Sequence, residues 1–470
     1  MHVDSRELLE RTAAHAAEFL AGLGSRPVAP GGSTAALREA LGRSLPEEGM
    51  DDVRVVDELV RDTADGLLGS AGGRFFGWVI GGGVPAALAA DWLTATWDQN
   101  AAMHACGPAV AVVEEVTGEW LKELLGLPGA ASFAFTTGAQ SAHVTALAAA
   151  RHKLLADRGW DVERRGLAGS PAVRVLTSGH QHASIDRAVR LLGLGTDQLH
   201  AVGADAEGRI DLAALERELA AADGPVMVCL QAGEINTGSF DPFEEACALA
   251  AARGAWVHVD GAFGLWAAVS DRHRHLLSEA GGADSWTTDA HKWLNVPFDS
   301  GLVFVRHPSA HRAAMSTRAS YLVHADDTAA EDGTAPARDQ LDWNPEWSRR
   351  ARAVPVYAAI RSLGRRGIAA VIDGCVDHAH RLVAEIGSLP GVEVLARPVI
   401  NQGLVRFTAA DGDHDARTDR VIGLVQRGGA AWFGGTTWNG VRAMRISVVN
   451  WRTDDQDVDR AVAAVRAVVG

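Results

Sequence analysis

The sequence predicts an α/β protein with a mostly parallel central sheet in a large domain and a small C-terminal α/β domain. Three observations predict it. From about residue 130 to 310, short β-branched apolar runs alternate with helical stretches, the pattern of a parallel sheet covered by helices on both faces. Polar residues stand just past the ends of these runs, where open sheets of this kind place their ligands. Beyond about residue 376 the same mixture recurs on a smaller scale.

The elements read as follows. Residues 6–23 repeat apolar positions at helical spacing (Leu8, Leu9, Ala13, Ala16, Phe19, Leu20) and end at Gly24. A second helix starts near Ala35, with Ser33 or Thr34 as its cap. Two short amphipathic helices do not make a core, so residues 1–74 form a helical segment that packs on something else. Phe75-Phe76-Gly77-Trp78 and the glycines 81–83 precede a helix over 85–99. Strands are expected at 133–135, 172–177, 225–230, 255–260 and 302–306, with helices at 142–157 and 241–253 between them. Residues 320–345 are acidic, poor in apolar residues, and read as a mobile loop. A large domain over 75–355 then gives way to a small one over 356–470, with a helix at 376–387, strands at 391–395, 403–407 and 442–449, and a closing helix at 455–468.

Composition narrows the function. The 470 residues are 47% hydrophobic and 22% charged, an ordinary globular balance, and the net charge is −15. An excess of acids argues against nucleic-acid backbones and anionic membranes as partners. No apolar run approaches the roughly 18–20 residues that span a bilayer, and the first residues lack the pattern of a signal peptide. Cys106, Cys229, Cys247 and Cys375 have no paired spacing, so reduced, buried thiols in a cytoplasmic protein are expected and a metal site is not. There are 14 tryptophans but only two tyrosines, Tyr321 and Tyr357.

The strand ends carry the chemistry. Thr137-Gly138-Ala139-Gln140 is a small-residue turn opening a helix, where backbone N–H groups and the helix dipole suit a phosphate. Ser178 to Ser184 follows the next strand and contains His180 and His182. Gly233-Glu234-Ile235-Asn236 follows a fully apolar strand. Asp260 ends a buried strand, where an unpaired carboxylate is costly, so it needs a cationic partner. Lys292 stands among apolar neighbours and is a candidate amine nucleophile. Each feature alone has a bland structural reading. In this order they supply a phosphate cradle, an imidazole, an aspartate and a lysine, the parts that hold pyridoxal 5'-phosphate.

On these motifs the chain resembles the group II pyridoxal-phosphate decarboxylases, which include aromatic amino acid and glutamate decarboxylases. The resemblance runs from about Arg74 to the C-terminus. It implies the fold-type-I architecture of aspartate aminotransferase and a homodimer with the active site at the interface, on which the N-terminal helices bury their faces. By the same resemblance, Thr137, Gly138, Ala139 and Gln140 bind the phosphate, and His182, in the pattern Ser178…His182-x-Ser184, stacks on the ring. His258-Val259-Asp260-Gly261-Ala262 places Asp260 at the pyridine nitrogen and Ala262 under the ring. His291-Lys292 is the signature that carries the Schiff base. The implied reaction is decarboxylation of an amino acid to its amine, with Lys292 and His182 as catalytic residues.

The chain departs from the family in two places. Residues 322–345 hold no tyrosine, whereas the decarboxylases deliver a proton from one on this loop; Trp343 is the only aromatic there, and Tyr321 lies at its start. Losing that tyrosine is associated in the family with aldehyde-forming oxidative decarboxylation, and His182 is the alternative proton donor. Glu234 stands where the family has threonine; it either meets the substrate or lies turned away. Trp78, Trp97 and Trp343 suggest aromatic walls, hence an apolar or aromatic amino acid, the alternative being that they are packing residues. Arg445 either binds a carboxylate or forms a structural ion pair. The rival reactions are aldehyde formation, carbon–carbon cleavage and transamination, and the rival class is a non-catalytic scaffold.

Overall fold

The computed structural model describes residues 5–317 and 337–470. Among these, strands β2 (Ser132–Thr136), β3 (Arg174–Ser178), β4 (Leu199–Val202), β5 (Val226–Gln231), β6 (Trp256–Asp260), β7 (Ser285–Asp289) and β8 (Gly301–Val305) form one sheet in the order 2-8-7-6-5-3-4. Neighbours among β4, β3, β5, β6 and β7 are parallel, and β8 runs antiparallel to both β7 and β2. A second sheet, in the order 1-11-12-10-9, joins β1 (Phe75–Phe76) to β9 (Val392–Ala396), β10 (Gln402–Phe407), β11 (Trp432–Trp438) and β12 (Val441–Ser447). The expected fold class is the one observed.

Side chains alternate across a strand, and the large sheet buries both faces. Phe133, Phe135, Val228, Leu230, Val257, Val259, Leu302 and Phe304 enter one apolar cluster. Ala134, Met227, Cys229, Trp256, Val303 and Val305 enter another, under the helices Ala139–Ala156 and Ala183–Leu191. Expected strands fall within one or two residues of observed ones. β1, β4, β7 and β11 had no expectation; in β7, Ser-Trp-Thr-Thr-Asp is too polar to read as a buried strand, yet all five residues are buried.

Four further expectations change. Helix Ala353–Gly387 starts well before residue 376 and spans the expected 355/356 boundary, with Gly364 (φ 60°) breaking it into two helical pieces. β1 pairs in parallel with Trp432 and Phe433, tying the start of the expected large domain to the C-terminal sheet. The expected loop at 320–345, with Tyr321, lies largely outside the described residues. Its end is packed rather than mobile: Gln340, Leu341, Asp342 and Asn344 are buried, and Arg312 donates to Asp342 at 2.8 and 3.0 Å. Of the cysteines, which are all free, Cys106 is exposed and not buried.

Where β2 meets β8, Thr136 pairs with Gly301, and a Cβ on Gly301 would stand 2.3 Å from Gly138 Cα. The sheet therefore seats the turn before helix Ala139–Ala156 only because residue 301 has no side chain. Gly301→Ala is expected to destabilise the cofactor-free protein by about 1–3 kcal/mol in urea denaturation, as overpacking does; an unchanged midpoint would refute the close approach.

Candidate active site

Lys292, Asp260, Ala262, His182, Gly138, Ala139, Gln140 and His291 converge on one cavity of 410 Å³ at the carboxyl ends of the parallel strands. Gln231, Gly233, Ile235, Phe263, Asp289 and Arg187 complete much of its wall. A larger cavity of 870 Å³ lies between the N-terminal helices and residues 80–83 and 296–298. Its wall is mostly apolar and holds no lysine, so the chemistry lies in the smaller one.

The sheet brings these residues together by register. Asp260 ends β6 and Asp289 ends β7, its parallel neighbour. The chain turns after β7, and Lys292 Nζ lies 3.1 Å from Asp289 Oδ2. A Cβ on Gly81 would stand 2.0 Å from the Lys292 carbonyl, so the glycine-rich passage backs the lysine turn. The Asp289 carboxylate also accepts from Ala139 N at 2.6 Å, at the start of the 18-residue helix Ala139–Ala156. That helix end opens on the cavity with the positive end of its dipole, and it already attracts one anionic oxygen. Thr137 departs from expectation: it is not in the cavity wall, and its hydroxyl pairs with Ser141 Oγ at 2.9 Å. Gln140 Nε2 donates to Ser184 O at 3.2 Å.

Asp260 is buried and ionised. Burial opposes its charge, but His143 most of all, then His182 and Lys292, outweigh burial and hold the carboxyl well below the usual range. Its Oδ1 accepts from Ala262 N at 3.1 Å, which fixes the turn carrying Ala262. His182 caps helix Ala183–Leu191: Ser184 N donates to its Nδ1 at 3.2 Å. The ring is reached by solvent through the cavity mouth, yet burial by the surrounding walls lowers its pKa; Asp260 opposes this, and Lys292, His143 and Arg445 add to it. A neutral His182 with an accepting Nδ1 carries its proton on Nε2. His291 Nδ1 accepts from Ser300 N at 3.1 Å, and burial lowers this histidine too.

The family model described as the pyridoxal-dependent decarboxylase conserved domain matches residues 37–410. The chain belongs to the pyridoxal-dependent decarboxylases. It is 31% identical over 385 residues to the L-2,4-diaminobutyrate decarboxylase of Rhizobium meliloti (strain 1021), across 81% of this chain and 74% of that protein. It is 26% identical over 460 residues to the aromatic-L-amino-acid decarboxylase of Bacillus atrophaeus, across 95% and 91%. The fold matches that of Oryza sativa TDC, crystallised with PLP and tryptamine, with a TM-score of 0.91 at 22% identity over 99% of this chain and 97% of that one.

Pyridoxal 5'-phosphate is the cofactor of this decarboxylase, and the cavity fits it. Gln231 Nε2 is a buried donor in the wall with no partner among the described residues, as a site for a polar ligand would leave it. A lysine, an ionised carboxylate and a helix N-terminus face the same space. Gln231, Asp289 and Arg187 were not singled out from the sequence. Asp289 had a usable signal, standing one helical turn's length before Lys292; Gln231 ends an apolar strand and had none.

The expected substrate residues fare differently. None of Trp78, Glu234, Trp343 and Arg445 is in the cavity wall. Trp78 is exposed and stacks near Trp432, with ring centroids 4.7 Å apart. Trp343 packs edge-on against His311 at 5.3 Å and under Arg338 at 4.9 Å. Among the described residues, the one aromatic carbocycle in this cavity's wall is Phe263. Glu234 is turned away: its carboxylate accepts from Asn236 N, Asn236 Nδ2 and Thr237 N, each at 2.7 Å, closing its own turn. That turn needs an acceptor, and a glutamate two residues before it supplies one. Glu234→Ala strips two backbone N–H groups of that acceptor and is expected to cost about 1–3 kcal/mol of stability, with KM within about twofold; a stable variant with a raised KM would restore Glu234 to the substrate.

Proposed function

We propose that this decarboxylase converts an α-amino acid to its amine with Lys292 as the residue that carries the cofactor and Asp260 as the partner of its pyridine nitrogen. The observation behind this reading is the meeting of Lys292 Nζ and the ionised Asp260 carboxylate in one cavity that a helix N-terminus enters. Bound there, the cofactor supplies an aldehyde for amines and a pyridine ring that accepts electrons. The chain's own residues do the rest. Asp260 would hold a proton at the ring nitrogen, Gly138, Ala139 and Gln140 would hold the phosphate, and Ala262 and His182 would hold the ring. His291 supports the lysine turn. His182 would pass a proton from Nε2 toward the reacting carbon and regain one from the water that reaches its ring through the cavity mouth.

Arg445 is the cation for the substrate carboxylate in this reading. It is buried, burial lowers its pKa, its Nε has no partner among the described residues, and its Nη1 reaches only Ile235 O at 3.4 Å. Ile235 lines the cavity, and with Phe263 it favours an apolar or aromatic side chain. Mass spectrometry of products from an amino acid panel incubated in air with holoprotein tests the reaction. A product lighter by carbon dioxide with its amine intact is expected, and Lys292→Ala should lower its rate by about 10²–10⁴-fold, as losing a group that handles protons and bonds does. An aldehyde or keto acid instead overturns amine formation.

The protein works, in the same reading, as a cytoplasmic homodimer. Helices Ser5–Gly22, Thr34–Leu41 and Asp52–Thr63 bury no residue fully, although they carry apolar faces. Leu9, Leu59, Trp92, Leu93, Trp97 and Phe298 are exposed, and Trp92 and Phe298 border the 870 Å³ cavity. A second copy covering this surface would satisfy it. No described helix is long and apolar enough to cross a membrane. Light scattering is expected to give twice the 49.5 kDa chain mass, and Trp92→Glu to shift it toward the single-chain mass; a monomeric wild type would refute the dimer.

A further inference from the structure

Behind Asp260, away from the cavity, lies a line of buried polar side chains that the proposed reaction does not use. Trp256, His258 and Asp260 alternate on β6, so they share one face of the sheet; Ser285 and Thr287 share that face on β7, in register with His258 and Asp260. Helix Ala139–Ala156 lays His143 over them. All of these are buried, His143, His258, Ser285 and Thr287 completely. Trp256 Nε1 lies 2.9 Å from Ser285 Oγ, Ser285 Oγ 2.9 Å from His258 Nδ1, and His258 Nε2 2.9 Å from His143 Nδ1. His143 Nε2 has no hydrogen bond to any other described group and lies 3.4 Å from Asp260 Oδ2, long for a hydrogen bond but within ion-pair range.

The direction of each bond follows from one end. An indole N–H only donates, so Ser285 Oγ accepts from Trp256. The Ser285 hydroxyl proton has one recorded acceptor, His258 Nδ1. His258 then carries its own proton on Nε2 and donates to His143 Nδ1. Thr287 Oγ1, 3.3 Å from the same Nδ1, is a second group aimed at that acceptor. His143 is left with its proton on Nε2, the atom facing Asp260. Burial, with His143 adding to it, pushes His258 down to about 3, consistent with a neutral ring at that link.

We propose that His143 is a positioning residue acting through Asp260: Trp256, Ser285, His258 and His143 form a one-way hydrogen-bond relay whose last donor, His143 Nε2–H, orients the Asp260 carboxylate toward the cofactor site. The inference rests on the reading of Asp260 as the cofactor's nitrogen partner. A neutral donor there steadies the carboxylate without neutralising it, whereas an apolar residue would leave Oδ2 buried against nothing.

Two measurements test it. In cofactor-free protein, ¹⁵N-edited imidazole spectra are expected to show His143 and His258 both protonated on Nε2 and bare on Nδ1; a His143 protonated on Nδ1 alone overturns the relay. In the second, pyridoxal 5'-phosphate is titrated into cofactor-free wild type, His143→Leu, His143→Gln, Asp260→Asn and the Leu/Asn double variant, following affinity and the visible absorbance of the bound form. Losing a hydrogen bond to a charged group predicts about a tenfold or greater loss of affinity and a shifted absorbance in His143→Leu. His143→Gln, which keeps an N–H donor, is expected to stay within about threefold of wild type, and it carries the test if the leucine variant fails to fold. Acting through Asp260 requires the double variant to be no worse than Asp260→Asn. Additive losses, or a His143→Leu protein with wild-type affinity and absorbance beside an impaired Asp260→Asn, overturn the relay alone. A wild-type-like Asp260→Asn overturns the reading of Asp260 and the relay with it.

Discussion

An ionised carboxylate at the buried end of a β-strand is the constraint from which the site follows. Asp260 cannot be left alone there, because desolvation opposes its charge. Its compensation comes from three directions: Ala262 N on its own turn, His143 from the covering helix, and the more distant His182 and Lys292. Each belongs to a different element, so the carboxylate is secure only when helix Ala139–Ala156, the β6 turn and the turn after β7 are all in place. The same packing that stabilises Asp260 therefore assembles the cavity.

A second carboxylate, Asp289, plays the complementary part. It holds the Lys292 ammonium on one oxygen and the first N–H of helix Ala139–Ala156 on the other. Two aspartates at the ends of adjacent parallel strands thus divide the labour, one oriented by neutral imidazole and amide donors, the other bridging the lysine to the helix start. Glycine at 301 and at 81 lets backbone approach where these turns meet. Both sheet faces are buried beneath the site, and the polar face of β6 and β7 is tolerated because its hydroxyls and imidazoles satisfy one another.

The fold was largely legible from alternation: two-sided burial makes apolar runs short and β-branched, and helical periodicity fills the intervals. What escaped was where that logic is broken. β7 is polar because its buried partners are polar, and the front half of helix Ala353–Gly387 follows a segment whose apolar residues gave no clear start. Of the site, Lys292, Asp260, His182, His291 and Ala262 were readable, since each sits at a strand end in a distinctive local pattern. For Glu234 and Trp343 substrate contact and a structural role were both open, because neither orientation nor packing partner is a property of local sequence; Glu234 closes its own turn and Trp343 packs on His311.

By itself, the sequence determined the α/β class, the strand ends that bear chemistry, and the set of groups proposed to hold pyridoxal phosphate, because period-2 and helical patterns and residue chemistry are local properties. The tertiary structure alone decided which way Glu234 turns, that Thr137 spends its hydroxyl on Ser141, that Asp289 joins lysine to helix, and that His143 stands behind Asp260. Those depend on register between strands and on one helix crossing them. Contacts between residues 117 positions apart in the chain, as His143 and Asp260 are, exist only once long-range packing has brought them together.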